Sequence, residues 1–217
     1  MTRARPPRHR PPATCRFGPV LVDHDPRVLA PRPWTLLQSR WAADLAASTP
    51  PGRLLELCAG AGHIGLAAAV LADRDLLQVE ADPVAAGYAR ANAARAGWAD
   101  RTEIRVDRLQ TALAPAERFG LMLADPPYLP TAAVARWPED PVTAIDGGPD
   151  GLDLVGACLV VAAAHLRPGG RMLLQVAGPS QADEVARRLA AAPDGLLAAG
   201  ERRVVDDQRA VLLVTRH

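Results

Sequence analysis

One stretch constrains this chain more than any other: an apolar run that breaks into glycines, Leu54-Leu55-Glu56-Leu57-Cys58-Ala59-Gly60-Ala61-Gly62-His63-Ile64-Gly65. It predicts a buried strand, a tight turn and the start of an Ala/Leu-rich helix, Ile64 to Leu71. Gly60 and Gly62 lack a Cβ and can take positive φ, so the backbone there can come close to a ligand. The helix beyond begins with free N–H groups aimed at the same place. Gly60-Ala-Gly62-His-Ile-Gly65 also reads G-x-G-x-x-G, the pattern of a nucleotide-cofactor cradle.

From Pro51 onward, short apolar runs alternate with helical periods, as expected of parallel strands buried on both faces. Strands are predicted near Arg53–Cys58, Leu76–Glu80, Thr102–Val106, Leu121–Ala124 and Arg171–Val176, with a closing hairpin near Arg202–Val205 and Ala210–Val214. Helices fall near Ile64–Leu71, Pro83–Ala96, Asp153–Leu166 and Gln181–Ala191. The fold class that follows is α/β: a Rossmann-like, doubly wound, seven-stranded sheet ending in an antiparallel hairpin. It occupies residues 51–217. Residues 17–50 form an N-terminal extension, with a hairpin or extended segment from Phe17 to Leu29 that turns at Asp23-His-Asp-Pro, and a helix beginning after Pro33. Residues 1–16 carry Arg3, Arg5, Arg8, Arg10 and Arg16 among prolines, too little apolar surface for a core, and read as a disordered tail. The Pro/Gly/Asp-rich stretch from Pro126 to Gly151 is longer than a packing connection needs, which marks it as functional.

Composition excludes several classes. With 49% hydrophobic residues and no apolar run near the roughly 20 residues of a membrane span, a soluble, cytoplasmic enzyme is expected. A net charge of +1 argues against a broadly basic nucleic-acid-binding face. Cys15, Cys58 and Cys158 show neither metal-ligand nor disulfide-scaffold spacing, so free thiols and no metal are expected.

The second strand ends at Glu80, twenty residues past Gly60, where doubly wound folds put a carboxylate that accepts hydrogen bonds from ribose hydroxyls. That position suits NAD and S-adenosylmethionine equally. Glu56 lies inside the first strand, where a carboxylate is costly unless something cationic or hydrogen-bonding meets it; the amino-acid moiety of S-adenosylmethionine would. Asp125-Pro126-Pro127-Tyr128 follows the fourth strand at the sheet's carboxyl edge. An oxygen of Asp125 and the backbone carbonyl of Pro126 can accept the two N–H hydrogens of an amine or amide, turning its lone pair toward a methyl donor. The prolines stiffen the loop, and Tyr128 sets an aromatic face beside a nitrogen that becomes more positive.

At these residues the chain resembles the class I S-adenosylmethionine-dependent methyltransferases, and within them the HemK-like family that methylates the glutamine amide of peptide chain release factors. Val28-Leu-Ala-Pro31-Arg32-Pro33-Trp34-Thr35 is similar to that family's V-x-x-P-R-P-E-T segment beside the cofactor. Glu56-Leu-Cys58-Ala59-Gly60-Ala61-Gly62 is similar to its D-L-G-T-G-S-G, with Cys58 replacing the first glycine. The resemblance implies cofactor contacts from Pro31, Arg32, Thr35, Glu56, Cys58, Ala59, Gly60, Ala61, Gly62 and Asp125. It makes Glu80, followed by Ala81, the ribose-binding acid, and Asp107, followed by Arg108, the acid that contacts the adenine amine. Ala144 to Asp153 resembles the loop after the tetrad, and Arg167 to Arg171 the turn into the fifth strand.

Three departures accompany the likeness. The tetrad is D-P-P-Y where glutamine methyltransferases carry N-P-P-Y, Trp34 stands where the family has Glu, and only about fifty residues precede the first strand, so the helical domain that grips the release factor is not expected. The implied function is N-methylation by S-adenosylmethionine, with a protein glutamine in a release factor or another protein as acceptor. The alternatives are an exocyclic amine of an RNA or DNA base, favoured by D-P-P-Y and the Arg-rich tail, a small-molecule amine, and, in another class, an NAD-dependent oxidoreductase.

Overall fold

Residues 12–217 are described by the structure, a computed structural model. The chain runs β1 (Ala13–Phe17), β2 (Val20–His24), α1 (Leu36–Ala46), β3 (Leu54–Leu57), α2 (His63–Ala72), β4 (Leu76–Glu80), α3 (Pro83–Arg95), β5 (Thr102–Val106) and β6 (Phe119–Ala124). Two single-turn helices follow, α4 (Thr131–Val134) and α5 (Val142–Ile145), then α6 (Asp153–His165), β7 (Leu166–Val176), α7 (Gly178–Ala190), β8 (Leu197–Asp206) and β9 (Arg209–Arg216).

Seven strands make one sheet in the order β5-β4-β3-β6-β7-β9-β8. The first five are parallel, and β9 runs antiparallel to both its neighbours. The chain winds outward from β3 to β5 and then returns to the other side of β3, so the winding reverses between β3 and β6. The carboxyl ends of those two strands flank the crevice where such sheets bind ligands. Alternation along the strands feeds two cores. Leu54, Leu121, Leu123 and Leu173 pack with α1, α2 and α3, while Leu55, Leu57, Met122 and Leu174 pack with α6 and α7. The expected sheet and terminal hairpin are therefore present. β8 is longer than expected, because Leu197–Ala199 continue the pairing with β9 across an irregularity between Ala199 and Arg202.

The N-terminal segment departs from expectation. The hairpin turns at Gly18-Pro19, pairing Phe17 with Val20 and Ala13 with His24, and does not turn at Asp23. Ala13–Arg16 thus belong to a strand where composition predicts tail; the rest of that tail, to residue 11, lies outside the described residues. The physical reason is a two-residue turn with glycine first, which suits strand twist, together with inward-facing Phe17, Val20 and Val22, each at most 3% exposed. Asp25 does open a turn, its carbonyl accepting from Val28 N at 3.1 Å, and its carboxylate is also buried, accepting from Arg27 Nε at 3.0 Å and Tyr88 Oη at 2.7 Å. The hairpin and α1 share one core with the sheet.

Candidate active site

The turn after β3 divides its labour residue by residue. Gly60 has φ +55, and a Cβ built there meets nothing within 4 Å, so the backbone borders open space. Gly62 has φ +79, but a Cβ there would stand 2.8 Å from Ala89 Cβ and from Gln78 Nε2, so its absent side chain lets α2 pack against α3 and β4. Cys58 holds φ 56 without being glycine, a conformation costing about 1–2 kcal/mol. Its thiol is pushed up by a hydrogen bond with Cys158 and by burial, and both are free.

Glu56 does not reach the ligand side, contrary to the expectation for it. Its Oε1 accepts from Gly65 N at 2.8 Å and its Oε2 from Gln78 Nε2 at 2.6 Å. The need for a hydrogen-bonding partner was read correctly, but the protein supplies the partner itself. Burial pushes this carboxyl up to about 8, against the lowering effect of those two bonds. A raised carboxyl binds its proton more tightly in the folded than in the unfolded chain. Its contribution to stability is therefore complete below the ordinary glutamate range, near 4.3, and is lost as pH rises to about 8. Glu56→Gln is expected to flatten this part of the slope. In thermal melts at pH 5 and pH 8.5, the parent should lose more than the variant, each kcal/mol being worth about 2–4 °C in a domain of this size. Equal losses would assign the slope to other groups.

Two cavities open along the carboxyl edge. The larger, about 630 Å³, is lined by Cys58, Ala59, Gly60 and Ala61 from the turn, Glu80 and Ala81 after β4, Asp107 and Arg108 after β5, and Asp125 after β6. The smaller, about 90 Å³, is lined by the whole tetrad Asp125-Pro126-Pro127-Tyr128 and by Arg32 and Thr35. Arg32 and Thr35 therefore face the second cavity, whereas the expectation put them at the first. Pro31 lines neither, lying between Leu29 and Arg32, which do; Glu56 and Gly62 stand behind the turn. Asp125, Pro127, Leu29 and Ala144 line both cavities, so the head of the tetrad is the partition between them.

The acids around the larger cavity are in different states. Glu80 accepts from Gly60 N at 2.7 Å and from Asp82 N at 2.8 Å, and burial raises it. Asp107 accepts from Thr111 Oγ1 at 2.8 Å and from Arg108 N at 2.7 Å, which lowers it. Asp125 makes no side-chain hydrogen bond among the described residues, and burial alone holds it up to about 7. Tyr128 is raised by the same cause. The 146–153 loop folds onto the tetrad: Gly147 N donates to Leu129 O at 2.8 Å, and Gln181 Nε2 ties Tyr128 O to Gly151 O. That long irregular stretch also contains α4 and α5, single turns too short for a helical period to reveal.

No protein-family model matches the chain. The release factor glutamine methyltransferase of Gloeobacter violaceus is 36% identical over 183 residues, 80% of this chain and 64% of that protein. The release factor glutamine methyltransferase of Deinococcus radiodurans is 33% identical over 191 residues, 86% of this chain and 67% of that protein. The chain belongs to the release factor glutamine methyltransferase family. It spans from 54% to 67% of the length of the first curated relatives it matches. Among solved structures, the hMettl16 catalytic domain in complex with the MAT2A 3'UTR hairpin 6 superposes with a TM-score of 0.72 at 16% identity, over 91% of this chain and 75% of that one. This likeness is one of fold.

Within this release factor glutamine methyltransferase relative, the wall of the smaller cavity holds what sequence reasoning missed. The Arg209 guanidinium lies 3.9 Å from the centre of the Trp34 ring, and that of Arg32 lies 5.8 Å from it. Arg209 pairs with Asp206 at 3.0 Å and Arg32 with Asp140 at 2.5 Å. Nothing local in the sequence marks Arg209, since it reaches the site from the far end of the chain. His63 and Arg27 also border the larger cavity. His63 follows the last glycine of the turn, and burial holds it down at about 3, so a neutral imidazole edges the cradle.

Proposed function

We propose that this chain transfers a methyl group from S-adenosylmethionine to the side-chain amide nitrogen of a glutamine in a protein, a release factor being the leading acceptor. The observation that carries the reading is the partition: Asp125 and Pro127 border both cavities, so a group held against the tetrad from one side faces whatever fills the other.

The residues of the larger cavity suit the cofactor. Gly60 leaves open space where a side chain would stand, and Glu80 and Asp107 offer acceptors for ribose hydroxyls and an adenine amine. When bound, S-adenosylmethionine supplies a methyl group activated by its sulfonium. On the other side, an oxygen of Asp125 and the carbonyl of Pro126 accept the two amide N–H hydrogens, which fixes the nitrogen and directs its lone pair across the partition. Tyr128, held through its carbonyl by Gln181, presents its ring to that nitrogen. The acceptor cavity, about 90 Å³, also carries the aromatic rings of Trp34, Tyr128 and Trp137, so a flipped base is the alternative that the experiment below must separate from an amide. Gloeobacter and Deinococcus relatives named for release factor glutamine support the amide.

The experiment offers labelled S-adenosylmethionine with a release factor, with the same factor carrying its acceptor Gln→Ala, and with total RNA. Label is expected in the first alone. Label in RNA with the factor blank would replace the amide by a base amine, and label in neither would point to a small molecule.

A further inference from the structure

An amide entering the smaller cavity brings two donors and one acceptor. Asp125 and the Pro126 carbonyl are acceptors and satisfy only the donors. A carbonyl oxygen taken out of water into a cavity this small, with no donor to meet it, costs about 1–3 kcal/mol. The wall offers several donors, among them the Tyr128 hydroxyl, the Gln208 amide and the Trp137 indole, but a charged guanidinium makes the strongest bond to a buried oxygen. Of the two guanidiniums in the wall, Arg32 is the more tightly held, both Asp140 carboxylate oxygens lying within 2.6 Å of its Nη2, against a single contact at 3.0 Å between Arg209 and Asp206. Thr35 Oγ1 donates to Arg32 O at 2.8 Å. Trp34 Nε1 is buried, with no exposed surface and no hydrogen-bond partner among the described residues. Arg209 lines the cavity with its side chain 28% exposed, and its guanidinium donates no hydrogen bond among the described residues beyond the ion contact of one Nη2 with Asp206. Its place over the Trp34 ring, 3.9 Å from the ring centre, and its contact with Asp206 limit its freedom, so little more is lost when it donates. The same placement occupies indole surface on which a nucleobase would have to lie.

We propose that Arg209, held over the Trp34 ring, determines acceptor specificity by donating a hydrogen bond to the carbonyl oxygen of the incoming glutamine amide; this rests on the glutamine reading above. Residues from the two ends of the chain, the Pro-Arg-Pro-Trp segment and the β8–β9 hairpin, thus build one recognition surface, and the Asp206 pair sets the reach of the guanidinium.

The test compares the parent, Arg209→Met and Arg209→Lys on an intact release factor. Arg209→Met is expected to lower kcat/KM about tenfold to a hundredfold, the usual range for losing a hydrogen bond to a charged donor, with Arg209→Lys between them. Affinity for S-adenosylhomocysteine should stay at the parent value, which separates the effect from misfolding. The same factor carrying its acceptor Gln→Met has a side chain of similar length and no carbonyl. As a competitive inhibitor, it should bind the parent and Arg209→Met equally. Equal weakening of both factors would make Arg209 a shaper of the mouth and overturn the inference, as would a parent-like kcat/KM for Arg209→Met. A parent enzyme that leaves the release factor unlabelled would instead overturn the glutamine reading, and the inference with it.

Discussion

Asp125→Ala is expected to lower methyl transfer by about a hundredfold or more while changing S-adenosylhomocysteine affinity only a few fold. The carboxyl heads the tetrad and has no hydrogen-bond partner of its own among the described residues, so its acceptor capacity is free for a substrate N–H. Removing it leaves the amide free to rotate its lone pair out of line, and misplacement on the ångström scale costs about that much. Asp125→Asn keeps one acceptor oxygen and should retain more activity than Asp125→Ala. Burial also gives the parent a pH signature. Its carboxyl is held up to about 7, the ionised form is the stronger acceptor, and activity at limiting acceptor should therefore rise with pH through that value and level off above it. Asp125→Asn, which does not titrate, should lack this rise. An alanine variant that turns over at the parent rate would reduce Asp125 to a turn residue.

Gly60→Asn and Gly62→Ala should fail in opposite ways, although they stand two residues apart. Asn tolerates the left-handed backbone that Gly60 adopts, and its side chain would project where a Cβ meets nothing within 4 Å. The free variant should melt near the parent temperature, while cofactor affinity falls about tenfold to a hundredfold through occlusion of the cradle. Gly62→Ala puts a Cβ 2.8 Å from Ala89 Cβ in a left-handed turn. Overpacking of this kind costs about 1–3 kcal/mol, so the loss should appear as a lower melting temperature. Calorimetric titration beside thermal melts reads both. A parent-like cofactor affinity in Gly60→Asn would mean that the larger cavity is not the cofactor's.

The difference between these glycines shows what is legible in a sequence. G-x-G-x-x-G announces a tight turn between a strand and a helix, but whether each absent Cβ faces a ligand or a neighbouring helix depends on α3, more than twenty residues away. The β3, β4 and β6 positions were readable because a parallel strand buried on both faces leaves a nearly continuous apolar run, whereas β5, at the sheet's edge, is half polar. Acids at strand ends were readable because the carboxyl edge is where such sheets expose them, as Glu80, Asp107 and Asp125 do. Glu56 was misplaced because a buried carboxylate demands a partner, and sequence does not say that Gln78 and Gly65 N provide it. The N-terminal hairpin was misread because the arginines and prolines around it outweighed a short inward alternation at Phe17, Val20 and Val22. The acceptor wall was hidden for a different reason. Trp34 and Arg209 meet only after the sheet has closed, and neither residue's neighbours carry a trace of the other.

Asn92 on α3 donates through Nδ2 to Ala61 O at 2.9 Å and to Asp23 O at 3.1 Å, and accepts at Oδ1 from Asp23 N at 2.7 Å. One amide thus holds the glycine turn on one side and the N-terminal hairpin on the other. The bonds to the two segments are separate, but one side chain makes them all, so a shift of Asn92 on one side disturbs its geometry on the other. If a ligand tightened the turn through Ala61, linkage would require that it steady the hairpin by the same factor as the hairpin strengthened its binding. The first strands of this chain, remote in sequence from the glycine turn, thus stand one side chain away from it.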